Sequence, residues 1–135
     1  MDDITFRRLC RARDLAGSCF SERLRLDDLA REACLSPFHF HRLFRAAFGE
    51  TPHEFVTRRR IEYAKQALAT DHLSVTDVCL ESGFNSLGTF SMKFAQRVGL
   101  PPSEYRRKVR RVFMIPEWAW TMYVPNCFMS FYGGK

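Results

Sequence analysis

The sequence predicts an all-α chain assembled from a duplicated unit, and three observations carry that expectation. Apolar residues recur at helical spacing from Leu9 to Val98, while β signals are confined to the C-terminal end. Glycine and proline punctuate the periodic stretches where helices should stop and restart. The chain also repeats itself. Leu29, Ala30 and Ala33 return as Val78, Cys79 and Ser82 at a shift of 49, and Phe40, Phe44, Gly49, Pro52 and Phe55 return as Phe90, Phe94, Gly99, Pro102 and Tyr105 at a shift of 50. The second copy therefore holds one extra residue, near Asn85.

Taken in order, Leu9, Ala12, Ala16, Cys19 and Phe20 mark a first amphipathic helix. A second runs from about Asp27 to Ala33, with two aspartates in the first turn, where the helix dipole favours negative charge. Ser36 caps a third helix and Pro37 opens it. Phe40, Leu43, Phe44, Ala47 and Phe48 line one face before Gly49 ends it. Thr51 and Glu54 form a capping box around Pro52 for a long helix over about 52–69, whose buried stripe includes Ile61, Ala64 and Leu68. Ser74 and Asp77 begin a short helix that Gly83 ends. Ser86 caps another, bearing Phe90, Phe94 and Val98 before Gly99, and a basic helix follows Pro101 and Pro102. A small residue, a tight turn, a capped helix with an apolar stripe, a glycine stop and a proline restart make a helix-turn-helix unit. It occurs at about 27–48 and again at about 75–98.

At 135 residues, 46% hydrophobic and 27% charged, the chain can build one compact core or two small subdomains that share a helix. Its formal charge of +6 favours a polyanionic partner where the charges gather, as in Arg58, Arg59 and Arg60, and in Arg106, Arg107, Lys108, Arg110 and Arg111. The five cysteines Cys10, Cys19, Cys34, Cys79 and Cys127 show no C-x-x-C spacing and follow no secretory signal. They read as reduced, core-filling thiols of a cytoplasmic protein. No run of about 18 apolar residues suggests a transmembrane helix, so no membrane partner is expected. His39 and His41 stand at i and i+2 and do not face each other, and no third ligand accompanies them, so no metal is expected. Without a nucleophile elbow, a glycine-rich phosphate loop or an H-E-x-x-H pattern, neither an enzyme nor a cofactor is indicated.

In each unit the helix after the turn buries its phenylalanine stripe and turns the opposite face outward. The first presents Phe38, His39, His41, Arg42 and Arg45, and the second presents Leu87, Gly88, Thr89, Ser91, Met92 and Lys93. Arginine can fork onto guanine O6 and N7, histidine and serine can bond base edges or phosphates, and phenylalanine or methionine can sit against a thymine methyl. The first face is the more polar and basic and should discriminate more.

The series Leu29-Ala30, Ser36-Pro37, His39-Phe40, Arg42-Leu43-Phe44, Gly49, Thr51-Pro52, Arg60-Ile61, Ala64 and Leu68 carries a family resemblance. It continues through Gly83-Phe84, Phe90-Ser91, Phe94, Gly99, Pro102 and Tyr105-Arg106. This chain resembles the DNA-binding domain of the AraC/XylS transcriptional regulators over about residues 6–111. The resemblance implies an all-α, seven-helix, two-subdomain fold in which the long connecting helix holds two recognition helices against adjacent major-groove segments. About 18 helical residues span roughly 27 Å, comparable to the roughly 34 Å turn of the duplex. Carried over by position, the base-reading residues are Phe38, His41 and Arg42 in the first unit and Leu87, Thr89, Ser91 and Met92 in the second. Phosphate contacts fall to Ser36, His39, Arg45, Arg58, Arg59, Arg60, Ser86, Lys93, Arg106 and Arg107. Met92 stands where relatives often have arginine and Gly88 offers no side chain, so the second unit should mainly grip phosphates. Arg25 replaces the usual capping serine or threonine before Asp27, at a local cost on the order of 1 kcal/mol.

From Val112 the chain turns apolar and aromatic, with Phe113, Trp118, Trp120, Tyr123, Phe128 and Phe131 among its residues, too apolar for a free tail. Folding back onto the preceding domain, a homodimer contact through 112–135 and the remnant of an effector-binding domain stay open. The expected function is sequence-specific binding of double-stranded promoter DNA in the cytoplasmic nucleoid and regulation of transcription initiation, as an activator contacting RNA polymerase. The alternatives are a non-specific nucleoid-type DNA binder and a protein-interaction module that uses the aromatic segment.

Overall fold

A computed structural model of the chain describes residues 1–70 and 72–112. Among them are seven helices and no strand: α1 (Asp3–Ser18), α2 (Leu26–Glu32), α3 (Pro37–Phe48), α4 (Pro52–Thr70), α5 (Val75–Glu81), α6 (Leu87–Val98) and α7 (Pro102–Val112). The aromatic segment beyond Val112, with its three readings, lies outside the described residues, as do Cys127 and the β signals at the chain's end.

Two cores form, and one helix belongs to both. The first gathers Leu9, Ala12 and Ala16 of α1, Leu29, Ala30 and Ala33, Phe40 and Phe44 of α3, and Phe55 and Val56 of α4. The second gathers Ile61, Ala64, Ala67 and Leu68 of α4 with Val78, Cys79, Phe84, Phe90 and Phe94. Within α4 the buried face crosses from one core to the other between Thr57 and Ile61, so Arg58, Arg59 and Arg60 lie at the crossover. At 1.5 Å per residue its 19 residues extend about 28 Å.

The duplication reaches single contacts. Phe40 stacks near Phe44 with ring centroids 5.5 Å apart, and Phe90 near Phe94 at 5.7 Å. Phe44 then meets Phe55 edge-on at 5.9 Å, as Phe94 meets Tyr105 at 5.3 Å. The two turns share one backbone pattern: the Cys34 N–H donates to Arg31 O and Leu35 N–H to Ala30 O, while Gly83 N–H donates to Leu80 O and Phe84 N–H to Cys79 O. These paired bonds close the helix end as a Schellman motif, whose pivot residue must be left-handed. The pivots are Gly83 at φ 95° and Cys34 at φ 56°. Cys34 thus holds a conformation that glycine adopts freely and a β-carbon disfavours.

At the helix starts, Ser36 accepts from the His39 N–H and Ser86 from the Thr89 N–H, each at 3.4 Å. The capping box of α4 is complete: Thr51 N–H donates to Glu54 Oε2 at 2.8 Å, and Glu54 N–H to Thr51 Oγ1 at 3.1 Å. Those bonds, the backbone one first, hold the Glu54 carboxyl below its ordinary range. At α2 only half a box exists. Arg25 has no oxygen to offer the helix, but its own N–H reaches Asp28 Oδ2 at 3.4 Å.

Some sequence expectations shift. Helix α1 ends at Ser18, so Cys19 becomes its C-cap and Phe20 stands in the loop beyond. Of the cysteines expected in the core, Cys79 is buried, Cys10 and Cys19 are half-buried, and Cys34 is exposed on its turn.

The loop after α1 touches the second unit directly. A β-carbon on Gly83 would lie 3.0 Å from the Phe20 carbonyl oxygen and from Ser21 Cα, so two backbones meet there. Arg60 closes the junction: Nε donates to Phe20 O at 2.6 Å, an Nη to Glu22 O at 3.2 Å, and its guanidinium carbon sits 5.8 Å from the Phe84 ring centre. Beside it Tyr63 places its ring 5.5 Å from that of Phe20 and donates its hydroxyl to Glu81 at 3.0 Å.

Phe44 and Phe94 are both fully buried. Truncating either to alanine should cost about 3 to 5 kcal/mol, read as a shift of the denaturant midpoint. A loss below roughly 1 kcal/mol for either would show that its pocket collapses and does not define the core. Cys34→Gly should act in the opposite sense, raising stability by about 1 kcal/mol, because relief of the left-handed strain exceeds the added freedom of the unfolded chain.

Candidate nucleic-acid interface

Because α3 and α6 bury Phe40 with Phe44 and Phe90 with Phe94, their other faces point away from the cores. On α3, Phe38, His39, Arg42 and Arg45 are exposed and His41 is half-buried. Phe38 is 73% exposed, an unusual cost for so large an apolar ring without a partner, and the Arg42 guanidinium lies over it at 5.7 Å. The pair forms one outward unit, a cation backed by an aromatic plane. His41 turns toward a groove of about 450 Å³ between the two units, which His53, Val56, Arg60 and Phe84 also line.

On α6, Leu87, Gly88, Thr89 and Met92 are exposed, while Ser91 and Lys93 are half-buried. Ser36 and Ser86 are exposed at the two N-termini, where free backbone N–H groups and the helix dipole can receive an anion. The two faces share backbone geometry and differ in chemistry: one carries two arginines and two histidines, the other small hydroxyls, apolar side chains and the half-buried Lys93.

The basic runs divide by environment. Arg58 forks onto Glu50, at 2.8 Å from one Nη, and reaches Glu62 at 2.9 Å, with its guanidinium 5.2 Å from the Phe55 ring centre. The bonds to Glu50 raise its proton affinity. Arg59 pairs with Glu62 at 3.0 Å. Arg60 gives donors to the two loop carbonyls described above, and burial lowers its proton affinity. Arg106 donates to the Leu73 carbonyl, and burial, then Arg110, act on it in the same direction. Arg107, Lys108 and Arg111 stay exposed on α7. Of the residues expected at phosphates, Arg58, Arg59, Arg60 and Arg106 therefore have internal partners. Arg45 and Arg107 face solvent.

Among the described residues no three His, Cys, Asp or Glu side chains gather as a metal site, and no helix is long and apolar enough to cross a membrane.

Two capped helix-turn-helix units hung on one helix define a tandem helix-turn-helix domain. A family described as "Helix-turn-helix domain" matches residues 29–108. The transcriptional activator AarP of Providencia stuartii is 37% identical over 86 residues, covering 64% of this chain and 64% of AarP. The regulator Rv1931c of Mycobacterium tuberculosis is 37% identical over 83 residues, 62% of this chain and 32% of its own length. The chain thus spans about a third to under two thirds of such relatives. Among solved structures, the DNA-binding domain of AdpA in complex with a target DNA superposes with a TM-score of 0.75 at 27% identity, over 78% of this chain and 96% of that one. An AraC-type regulator from Chromobacterium violaceum superposes at 0.71 with 26% identity, over 82% and 96%. This chain belongs to the AraC/XylS family of helix-turn-helix regulators.

Proposed function

We propose that this chain binds double-stranded promoter DNA at specific sequences and regulates transcription initiation there. One observation carries the reading: two outward recognition faces, on α3 and α6, are fixed to a common helix by separate cores. Likeness to the AdpA domain, which is bound to its target DNA, supports it, and so does the kinship with AarP, a transcriptional activator. In the finer reading the protein works in the nucleoid as an activator that contacts RNA polymerase.

The base-reading set is Phe38, His41 and Arg42 of the first unit and Leu87, Thr89, Ser91 and Met92 of the second. Arg42 is the principal reader. Its exposed guanidinium can take guanine O6 and N7 together, while the ring of Phe38 limits its rotamers before contact. The second unit leans on phosphates through the Ser86-capped helix start and Lys93, and the first through Ser36, His39 and Arg45. Arg107 adds charge from α7.

The reading is tested by selecting duplexes from a random pool and comparing their affinity with that of unselected DNA at one salt concentration. A ratio of about 10³ or more marks a specific binder, and a ratio near one favours non-specific coating or a protein partner. On the selected duplex, a base-by-base profile of Arg42→Ala should lose preference at one or two positions in one half of the site, by about 1 to 3 kcal/mol. Met92→Ala should change the profile little. An even loss at every position would move Arg42 to the phosphates.

Removing a phosphate contact should weaken all sequences alike and reduce the slope of log affinity against log salt. Arg45→Gln and Arg107→Gln should each reduce it by about 0.9. Slopes equal to wild type would leave both as solvated side chains.

A further inference from the structure

The proposed function needs two reading faces at a fixed spacing, yet the two cores share no residue and only α4 runs through both. A lone helix can bend and twist at its midpoint, and here the buried face changes cores there. Something must set the angle. Besides the backbone approach of Gly83 to Phe20 and Ser21, the contacts that cross from one unit to the other run through two side chains near that midpoint: Tyr63, between Phe20 and Glu81, and Arg60. Arg60 binds two carbonyls of the first unit's loop, Phe20 O and Glu22 O, and lies against Phe84 in the second unit's turn. Its Nε is 3.0 Å from where a β-carbon of Gly83 would be, so the turn and the guanidinium pack with no room between them. Its planar fork supplies donors in fixed directions, which a lysine ammonium cannot reproduce. These contacts lie on the wall of the inter-unit groove, beside His41 of the first recognition helix.

We infer that Arg60 is a positioning residue that latches the two recognition helices at one relative setting and so decides which spacing between half-sites the protein accepts. The inference rests on the DNA-reading function proposed above. Arg60 touches no base in this scheme. Its donors meet loop carbonyls, and its effect on recognition passes through the loop and the turn it joins.

The latch changes how affinity depends on separation. One base pair inserted between half-sites moves the second by about 3.4 Å and turns it by roughly a tenth of a full turn. A rigid pair must strain or release one half. A loosely joined pair behaves as two tethered modules whose joint affinity changes slowly with separation.

The test uses the duplex selected by the wild-type chain, the same duplex with one base pair inserted or removed between its halves, and duplexes in which either half is scrambled. Wild type should lose roughly tenfold or more in affinity on either spacing change. In Arg60→Ala and Arg60→Lys that loss should shrink to about threefold or less. Both variants should bind each single half-site as wild type does, which separates a lost latch from a failed fold. The salt slope of Arg60→Ala should equal that of wild type, since a phosphate contact would reduce it by about 0.9. Variants that keep the wild-type spacing profile, lose the same factor on every duplex, or show a reduced salt slope overturn the latch. A wild-type protein that selects no duplex from the pool overturns the DNA-reading function itself, a distinct result.

Discussion

Everything in this fold depends on α4 being shared. Phe55 and Val56 complete the first core, and Ile61, Ala64, Ala67 and Leu68 complete the second, so neither unit closes without it. Helices α1 and α3 pack on α4 with α2 against both of them, while α5, α6 and α7 pack on its other half with α6 against its two neighbours. A short helix of seven residues such as α2 or α5 is marginal alone. Each is held by burying Leu29 and Ala30, or Val78 and Cys79, against the common scaffold. Local signals choose where the chain turns, and the shared helix decides where the turned pieces stand.

The two units show how far one backbone solution can serve different surfaces. Turn bonding, serine caps, left-handed glycine stops at Gly49 and Gly99, and phenylalanine pairs match from copy to copy. The outward residues do not. Interior positions are constrained by volume and by the need to leave no cavity, whereas outward positions answer only to what they meet. Under the proposed function, a duplicated core with unlike faces gives two grips of different character on the duplex, with Arg42 on Phe38 discriminating and Thr89, Ser91 and Met92 making gentler contact.

Much of this was legible because the code is local. Capping serines, the Thr51–Glu54 box, glycine stops and a 3.6-residue apolar period act within a few residues, and the structure realises them where the sequence puts them. What escaped depends on distant partners. By sequence, the run Arg58 to Arg60 is a charge cluster suited to phosphates. Its first member is forked by Glu50, eight positions away, and its last by carbonyls about forty positions away. No pattern in the chain announces a backbone acceptor. Spacing puts Phe20 on the first helix, but it stands beyond the end of α1, where it reaches Tyr63. The cysteines read as core by composition, and of the four described only Cys79 is fully buried. Small size permits burial and does not require it.

The shared helix also restricts how the chain can change in length. One residue inserted between Thr57 and Ile61 would lengthen the molecule by only about 1.5 Å but rotate everything after it by roughly 100° about the helix axis. The second core would then meet the polar side of α4, and the loop after α1 would face a different turn. Length can vary without that penalty only where the chain already changes direction. The one place where the two copies differ in length, at Asn85, lies in such a turn, ahead of the Ser86 cap, so the extra residue is absorbed before the next helix begins.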